Sequence, residues 1–130
     1  MNRERISTDK APAAVGPYSQ AIQVGHLIFT AGQIALDPTT GQLAYDDIQG
    51  QTGQVMKNLQ AILETAGTDL KNVVKTTVFL QDMNHFAAMN EVYGQHFGQE
   101  PPARSTVEVA KLPLNALVEI EAVALIPVTE

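Results

Sequence analysis

Cysteine is absent from this chain. Disulfides and thiolate metal ligands are therefore excluded, and the composition fits a reducing, cytoplasmic setting. No run of lysine or arginine offsets a formal charge of −6, which argues against a nucleic-acid partner. No segment approaches the ~20 apolar residues needed to cross a bilayer, so no membrane partner is expected. The opening Met1-Asn2-Arg3-Glu4-Arg5 is charged and no apolar stretch follows it, so no signal peptide is expected. There is no glycine-rich phosphate loop and no Ser, His and Asp arrangement of a triad. His26, His85 and His96 lack metal-ligand spacing and read as scattered surface residues, so no metal site is expected. Internal repeats, linkers and low-complexity tracts are also missing. What remains is a chain of 130 residues, suited to one domain over 1–130, with enough length to bury about two-thirds of the surface exposed when unfolded.

Periodicity supplies the elements. Arg5-Ile6-Ser7-Thr8 fits a short edge strand, and the proline- and glycine-containing run from Ala11 to Tyr18 fits an ordered loop. Ser19 to Val24 and His26 to Gly32 read as a hairpin around Gly25. Leu27-Ile28-Phe29 is apolar without alternation, which predicts a strand covered on both faces. A helix starts at Asp46 or Asp47, with Asp46 and Gln49 at capping-box spacing. Ile48, Val55, Met56, Leu59, Ile62, Leu63 and Ala66 form its stripe, and Gly67 stops it. Gly50 and Gly53 in its first turns are open to two readings, close packing or a loose start. Asn72 to Leu80 is a β-branched strand. Asp82 or Asn84 caps a second helix to about Phe97, striped by Phe86, Met89, Val92, Tyr93 and Phe97.

Two alternating runs follow, Pro102 to Val109 and Val118 to Leu125. Arg104, Thr106 and Glu108 share one face of the first; Glu119, Glu121, Val123 and Leu125 share one face of the second. The predicted fold is α+β, a two-layer sandwich of a mixed sheet with two helices on one face. The other face is expected to carry Arg104 and Glu119 among apolar groups and to be covered by further subunits.

Arg104 presents a planar fork suited to a carboxylate ligand, or to an ordinary ion pair with Glu119 or Glu121. Glu119 fits a general base that holds a water, or a simple salt bridge. Tyr18, aimed by Gly16-Pro17, fits a hydrogen-bonding phenol or a ring pinned to the sheet. Asn90 fits a ligand contact or a tie to a loop carbonyl. Gly32 fits a place where another group approaches the backbone closely.

Ala11-Pro12-Ala13-Ala14-Val15-Gly16-Pro17-Tyr18-Ser19-Gln20, Thr30-Ala31-Gly32-Gln33-Ile34, Val74 to Leu80, Pro102 to Val109 and Glu119-Ile120-Glu121-Ala122 stand in an order that resembles the Rid family, also called YjgF-type or L-PSP proteins. The resemblance runs over nearly the whole chain. It implies a chorismate-mutase-like fold, a homotrimer with clefts between subunits, and a last strand inserted within the sheet. It implies hydrolysis of 2-imino acids such as 2-iminobutanoate and 2-iminopropanoate to 2-keto acids and ammonia, without a cofactor. By position, Arg104 matches the arginine that binds the substrate carboxylate and Glu119 the acid that positions water. Tyr18 and Asn90 match cleft residues, and Gly32 matches a backbone contact. Ala31 stands where many deaminases have serine, and Thr106 where many have cysteine. The alternatives are a non-catalytic module that binds small carboxylates, and a ribonuclease or translation inhibitor, which the acidic charge and the missing histidine pair oppose.

Overall fold

In chain order the elements are β1 (Arg3–Ile6), β2 (Ala21–Val24), β3 (Leu27–Thr30), α1 (Ile48–Thr65), β4 (Val73–Leu80), α2 (Phe86–Gln95), β5 (Ala103–Glu108) and β6 (Val118–Leu125). They come from a computed structural model that describes residues 2–128; the outer ends of the expected 1–130 domain lie outside the described residues. The strands form one mixed sheet in the order β1-β2-β3-β6-β4-β5. Among the described residues only β4 and β5 run parallel, joined through α2. The last strand lies between β3 and β4, antiparallel to both, as the resemblance implied.

Local chemistry explains the boundaries. Pairing of Val24 with Leu27 leaves a two-residue turn at Gly25-His26, with Gly25 at φ +59°. β1 lies two residues earlier than the sequence predicts, because the backbone of Thr8 is already bonded at both its N–H and C=O to the Gln20 amide. The helix cap is Asp47, whose carboxylate accepts from Gly50 N at 2.9 Å. Gln49 does not complete a capping box; its amide donates across to Glu91 and to the Ala88 carbonyl on α2. Gly50 reflects close packing, since a Cβ there would meet Asp47 and Tyr45 atoms at 2.7 Å. Gly67, at φ +91°, ends α1: its N–H bonds Glu64 O and that of Thr68 bonds Leu63 O, the Schellman pattern.

Both helices cover one face. Val55, Met56, Leu59, Ile62, Leu63 and Met89 meet Ile28, Val78, Leu80, Val118 and Ile120, all buried to 0 % exposure. The opposite face is open in the single chain, with Leu27, Phe29, Val107 and Leu125 exposed. Two expectations are corrected here. β3 is covered on one face only: Ile28 is buried while Leu27 and Phe29 on either side are not. Arg104 and Glu119 do not share a face. Arg104 is paired beside the buried Thr76 on the helix side. Glu119 is paired beside the half-buried Phe79 on the open side, between the buried Val118 and Ile120. Each run alternates as expected; alternation within a strand does not specify which face of a shared sheet it turns to the helices.

Candidate functional site

The chemistry falls into two clefts. The first holds Glu119 and has a volume of about 600 Å³, with Pro12, Tyr18, Ala31, Gly32, Pro113 and Leu114 among its walls. A β-bulge shapes it. Phe29 pairs with Val123 and Gln33 bridges Ile120, so residues 30–32 face only 121–122. Ala122 N–H donates to Thr30 Oγ1 at 3.0 Å instead of to a backbone carbonyl. The extra residue brings Gly32 under the carboxylate. A Cβ at position 32 would lie 2.1 Å from Glu119 Oε2 and 2.8 Å from its Cδ, so only glycine leaves the acid where it is. Burial, with the neighbouring Glu121 charge adding to it, raises the Glu119 pKa above its ordinary value of 4.5.

The loop that carries Tyr18 is stapled by Gln20, which is buried. Its amide nitrogen donates to the Thr8, Ala11 and Pro12 carbonyls, the last at 2.7 Å. Tyr18 is 52 % exposed, so its ring is not pinned to the sheet. Its hydroxyl accepts from Val15 N at 3.2 Å. The far wall of the cleft is tied to α1 by buried Gln51 and Asn58. Gln51 accepts from Leu117 N and donates to Tyr45 O; Asn58 donates to the Ile34 and Leu36 carbonyls.

The second cleft, about 480 Å³, lies between α2 and the β5 edge and is lined by Asn90, Tyr93, Phe97, Pro102 and Arg104. The Arg104 guanidinium carbon sits 4.8 Å from the Tyr93 ring centre and 5.4 Å from that of Phe86. Nη1 donates to Asn90 Oδ1 at 2.8 Å, and among the described residues no carboxylate is paired with the guanidinium. The Tyr93 hydroxyl shares a 2.6 Å hydrogen bond with Thr76 Oγ1 on β4, which fixes the ring that the arginine rests on. Burial raises the Tyr93 pKa, against the lowering effects of Thr76 and Arg104, so the phenol is neutral at physiological pH. Thr106 Oγ1, two residues along the same face from Arg104, is buried and has no hydrogen-bond partner among the described residues.

The two clefts are on opposite sides of the sheet. Arg104 pairs opposite Thr76 and Glu119 opposite Phe79, so the side chains are also offset along β4. Within one chain Arg104 cannot bridge to Glu119 or Glu121, and Asn90 accepts from Arg104 rather than holding a loop carbonyl. The ion-pair reading of Arg104 and Glu119 is thereby removed for the isolated chain.

Comparison with known proteins fits this arrangement. The family model described as Endoribonuclease L-PSP matches residues 8–126. The chain belongs to the L-PSP, or Rid, family. A RutC family protein of Pyrococcus abyssi is 56 % identical over 124 residues, covering 95 % of this chain and 98 % of that one. The mouse 2-iminobutanoate/2-iminopropanoate deaminase is 52 % identical over 122 residues, covering 94 % and 90 %. A solved Rid family structure, YyfA of Yersinia pestis, superposes with a TM-score of 0.93 at 47 % identity, covering 95 % of this chain and 99 % of that one.

Within this Rid fold the structure gathers Tyr18, Ala31, Gly32 and Glu119 in one cleft, and Asn90, Arg104 and Thr106 on the α2 side of the sheet. The sequence does not mark Phe86, Tyr93 and Thr76 as the bed for Arg104; helical spacing places the first two in the core stripe, yet Phe86 is 38 % exposed. Periodicity also passes over Gln20, Gln51 and Asn58, polar residues inside apolar patterns, which is the signal that marks them. His85 and His96 are half-buried rather than on the surface, and burial lowers the His96 pKa. No group of three or more His, Asp or Glu side chains that could hold a metal occurs among the described residues, and no helix is long and apolar enough to cross a membrane.

Proposed function

We propose that this protein hydrolyses reactive 2-imino acids, 2-iminobutanoate and 2-iminopropanoate among them, to 2-keto acids and ammonia. The observation that carries this reading is an arginine held by two aromatic rings and an amide, with no acid partner among the described residues, on the wall of a cleft. Such a fork binds a substrate carboxylate by two parallel hydrogen bonds. The names of the mouse and human relatives, both 2-iminobutanoate/2-iminopropanoate deaminases, agree with it.

Arg104 anchors the carboxylate and Thr106 and Asn90 flank it. Glu119 holds a water against the imine carbon. The imine reacts as its N-protonated form: as the water oxygen bonds to C2, the C=N π pair moves to nitrogen and Glu119 takes one water proton, which gives a neutral carbinolamine. Glu119 then passes that proton to the amine, the C–N bond breaks and ammonia leaves, and the hydroxyl proton returns to the Glu119 carboxylate as the keto oxygen forms. The raised pKa of Glu119 makes it a stronger base than an ordinary carboxylate, and Tyr18 supplies a hydroxyl beside it. No cofactor enters the balance.

Because the two halves sit on opposite faces of one chain, the working site needs a second copy. We place it in clefts between the subunits of a homotrimer, in which the exposed Leu27, Phe29, Val107 and Leu125 of the open face are covered. The setting we propose is the cytoplasm, where these intermediates arise.

The test generates imines in situ from several amino acids with an amino-acid oxidase and follows keto-acid release. Release accelerated in proportion to protein concentration is expected. Binding of 2-ketobutyrate with no acceleration would instead make this a carboxylate-binding module, and salt-sensitive RNA cleavage would revive the ribonuclease reading.

A further inference from the structure

The loop between β5 and β6 holds two consecutive residues in the left-handed region, Leu114 at φ +57° and Asn115 at φ +58°. Asparagine tolerates that region, whereas a leucine there is uncommon because its Cβ crowds the following carbonyl. Strain of this kind persists only where the surroundings over-determine the backbone. Here they do. Leu112 is buried and its N–H donates to Gln81 Oε1 at 3.0 Å. Leu117 N–H donates to Gln51 Oε1 at 2.8 Å, and the N–H groups of Asn115 and Ala116 close back on the Leu112 and Pro113 carbonyls. The side chain held in this way adds nothing to the core: Leu114 is 64 % exposed. It lines the cleft that contains Glu119, together with the exposed rings and methyls of Tyr18 and Val15.

We infer that Leu114 is a specificity-determining residue: it forms the apolar wall on which the side chain of a bound 2-imino or 2-keto acid packs, so that aliphatic side chains are favoured over a bare methyl group. The inference rests on the reading of this cleft as a site for such acids. A carboxylate at Arg104 and a reacting carbon at Glu119 leave the substrate's third substituent to be recognised, and the Glu119 cleft offers it apolar walls. Glycine would hold the same backbone without strain, so what leucine adds at this position is the side chain that lines the cleft.

The test is Leu114→Gly, with Leu114→Asn as a second variant that also suits the left-handed backbone. Dissociation constants are measured for pyruvate and for the keto acid of leucine, with the full-length protein in its native oligomeric state. The wild type should prefer the leucine-derived acid. In both variants the ratio of the two affinities should fall about tenfold, the low end of what a hydrophobic pocket gains from a single methylene, since Leu114 is one of several walls around a side chain three carbons longer than that of pyruvate. Melting temperature should rise in Leu114→Gly as strain is released. An unchanged affinity ratio overturns the inference, and so does dissociation of the oligomer, which would make Leu114 an interface residue. If the wild type hydrolyses imines while the ratio is unchanged in the variants, this inference fails alone. If the ratio depends on Leu114 but no imine is hydrolysed, the inference stands and the deaminase reading fails. Binding of neither acid by the wild type overturns both.

Discussion

The two halves of the proposed site are built by different means. The arginine half is made from regular elements: β5 carries the cation, α2 supplies Phe86, Asn90 and Tyr93, and β4 supplies Thr76 to fix the tyrosine. The glutamate half is made from departures from regularity: a bulge at Ala31-Gly32, a glycine under the carboxylate, and loops stapled by Gln20, Gln51 and Asn58. The difference follows from what each group needs. A guanidinium is charged at every accessible pH and requires orientation, which flat rings provide. A carboxylate that is to act as a base requires partial desolvation, and close backbone approach provides that. Placing the two on opposite faces also keeps the cation free of an internal acid partner in the single chain.

The comparison breaks most completely at the anchor. Arg104→Ala should reduce kcat/KM for imine hydrolysis by roughly 10³-fold, the loss of two charge-assisted hydrogen bonds, while circular dichroism and oligomeric mass are unchanged. Wild-type turnover by a folded variant would remove Arg104 from the reaction.

Glu119→Gln should lower kcat by roughly 10²-fold, in the range for a lost general base, with a smaller change in keto-acid affinity. Its effect on stability has the opposite sign. The folded-state pKa of Glu119 lies above its unfolded value, so its burial costs stability once pH rises through that window. The glutamine variant should therefore melt higher than wild type at pH 7, with the difference vanishing well below pH 4.5, the ordinary value. A lower melting temperature at neutral pH would contradict the raised pKa.

Gly32→Ala sharpens the contrast between the halves. The methyl displaces a flexible carboxylate rather than backbone, so the chain should fold while turnover falls by about 10²-fold, the cost of an ångström-scale misplacement. Binding through the arginine half should change far less. The smallest effect is expected at Glu121→Gln. Removing the second contribution to the Glu119 shift should move the acidic limb of the kcat/KM profile to lower pH, leaving the plateau within about twofold.

Much of the fold was legible because its elements carry one period each. The β-branched run at Val73–Leu80 and the stripe from Val55 to Leu63 have a single reading, and the structure follows it. The facing of the last two strands was not legible, because alternation is symmetric: Arg104 and Glu119 each fall on a definite face of their own strand, but only the insertion of β6 between β3 and β4 decides that these faces are opposite. Gly32 was legible as a point of close approach, although not which group would fill it. The bed beneath Arg104 was hidden because Phe86 and Tyr93 sit at helical spacing in an apolar stripe, where a ring that holds a cation looks the same as a ring that fills a core. Of the two helix starts the sequence offers, Asp47 is the cap; the capping box of Asp46 and Gln49 does not form because Gln49 turns towards α2, a tertiary contact that a local motif does not carry.

A complementation assay asks most directly whether the working cleft needs residues from two copies. Arg104→Ala and Glu119→Gln should each disable a different half of the cleft, so co-expressed or co-refolded mixtures are assayed for imine hydrolysis. If arginine and glutamate come from different copies, random assembly restores complete clefts in about one case of four, and about a quarter of wild-type activity returns. If the mixtures are no more active than the two variants assayed separately, the residues act within one chain or not at all, and the account is wrong.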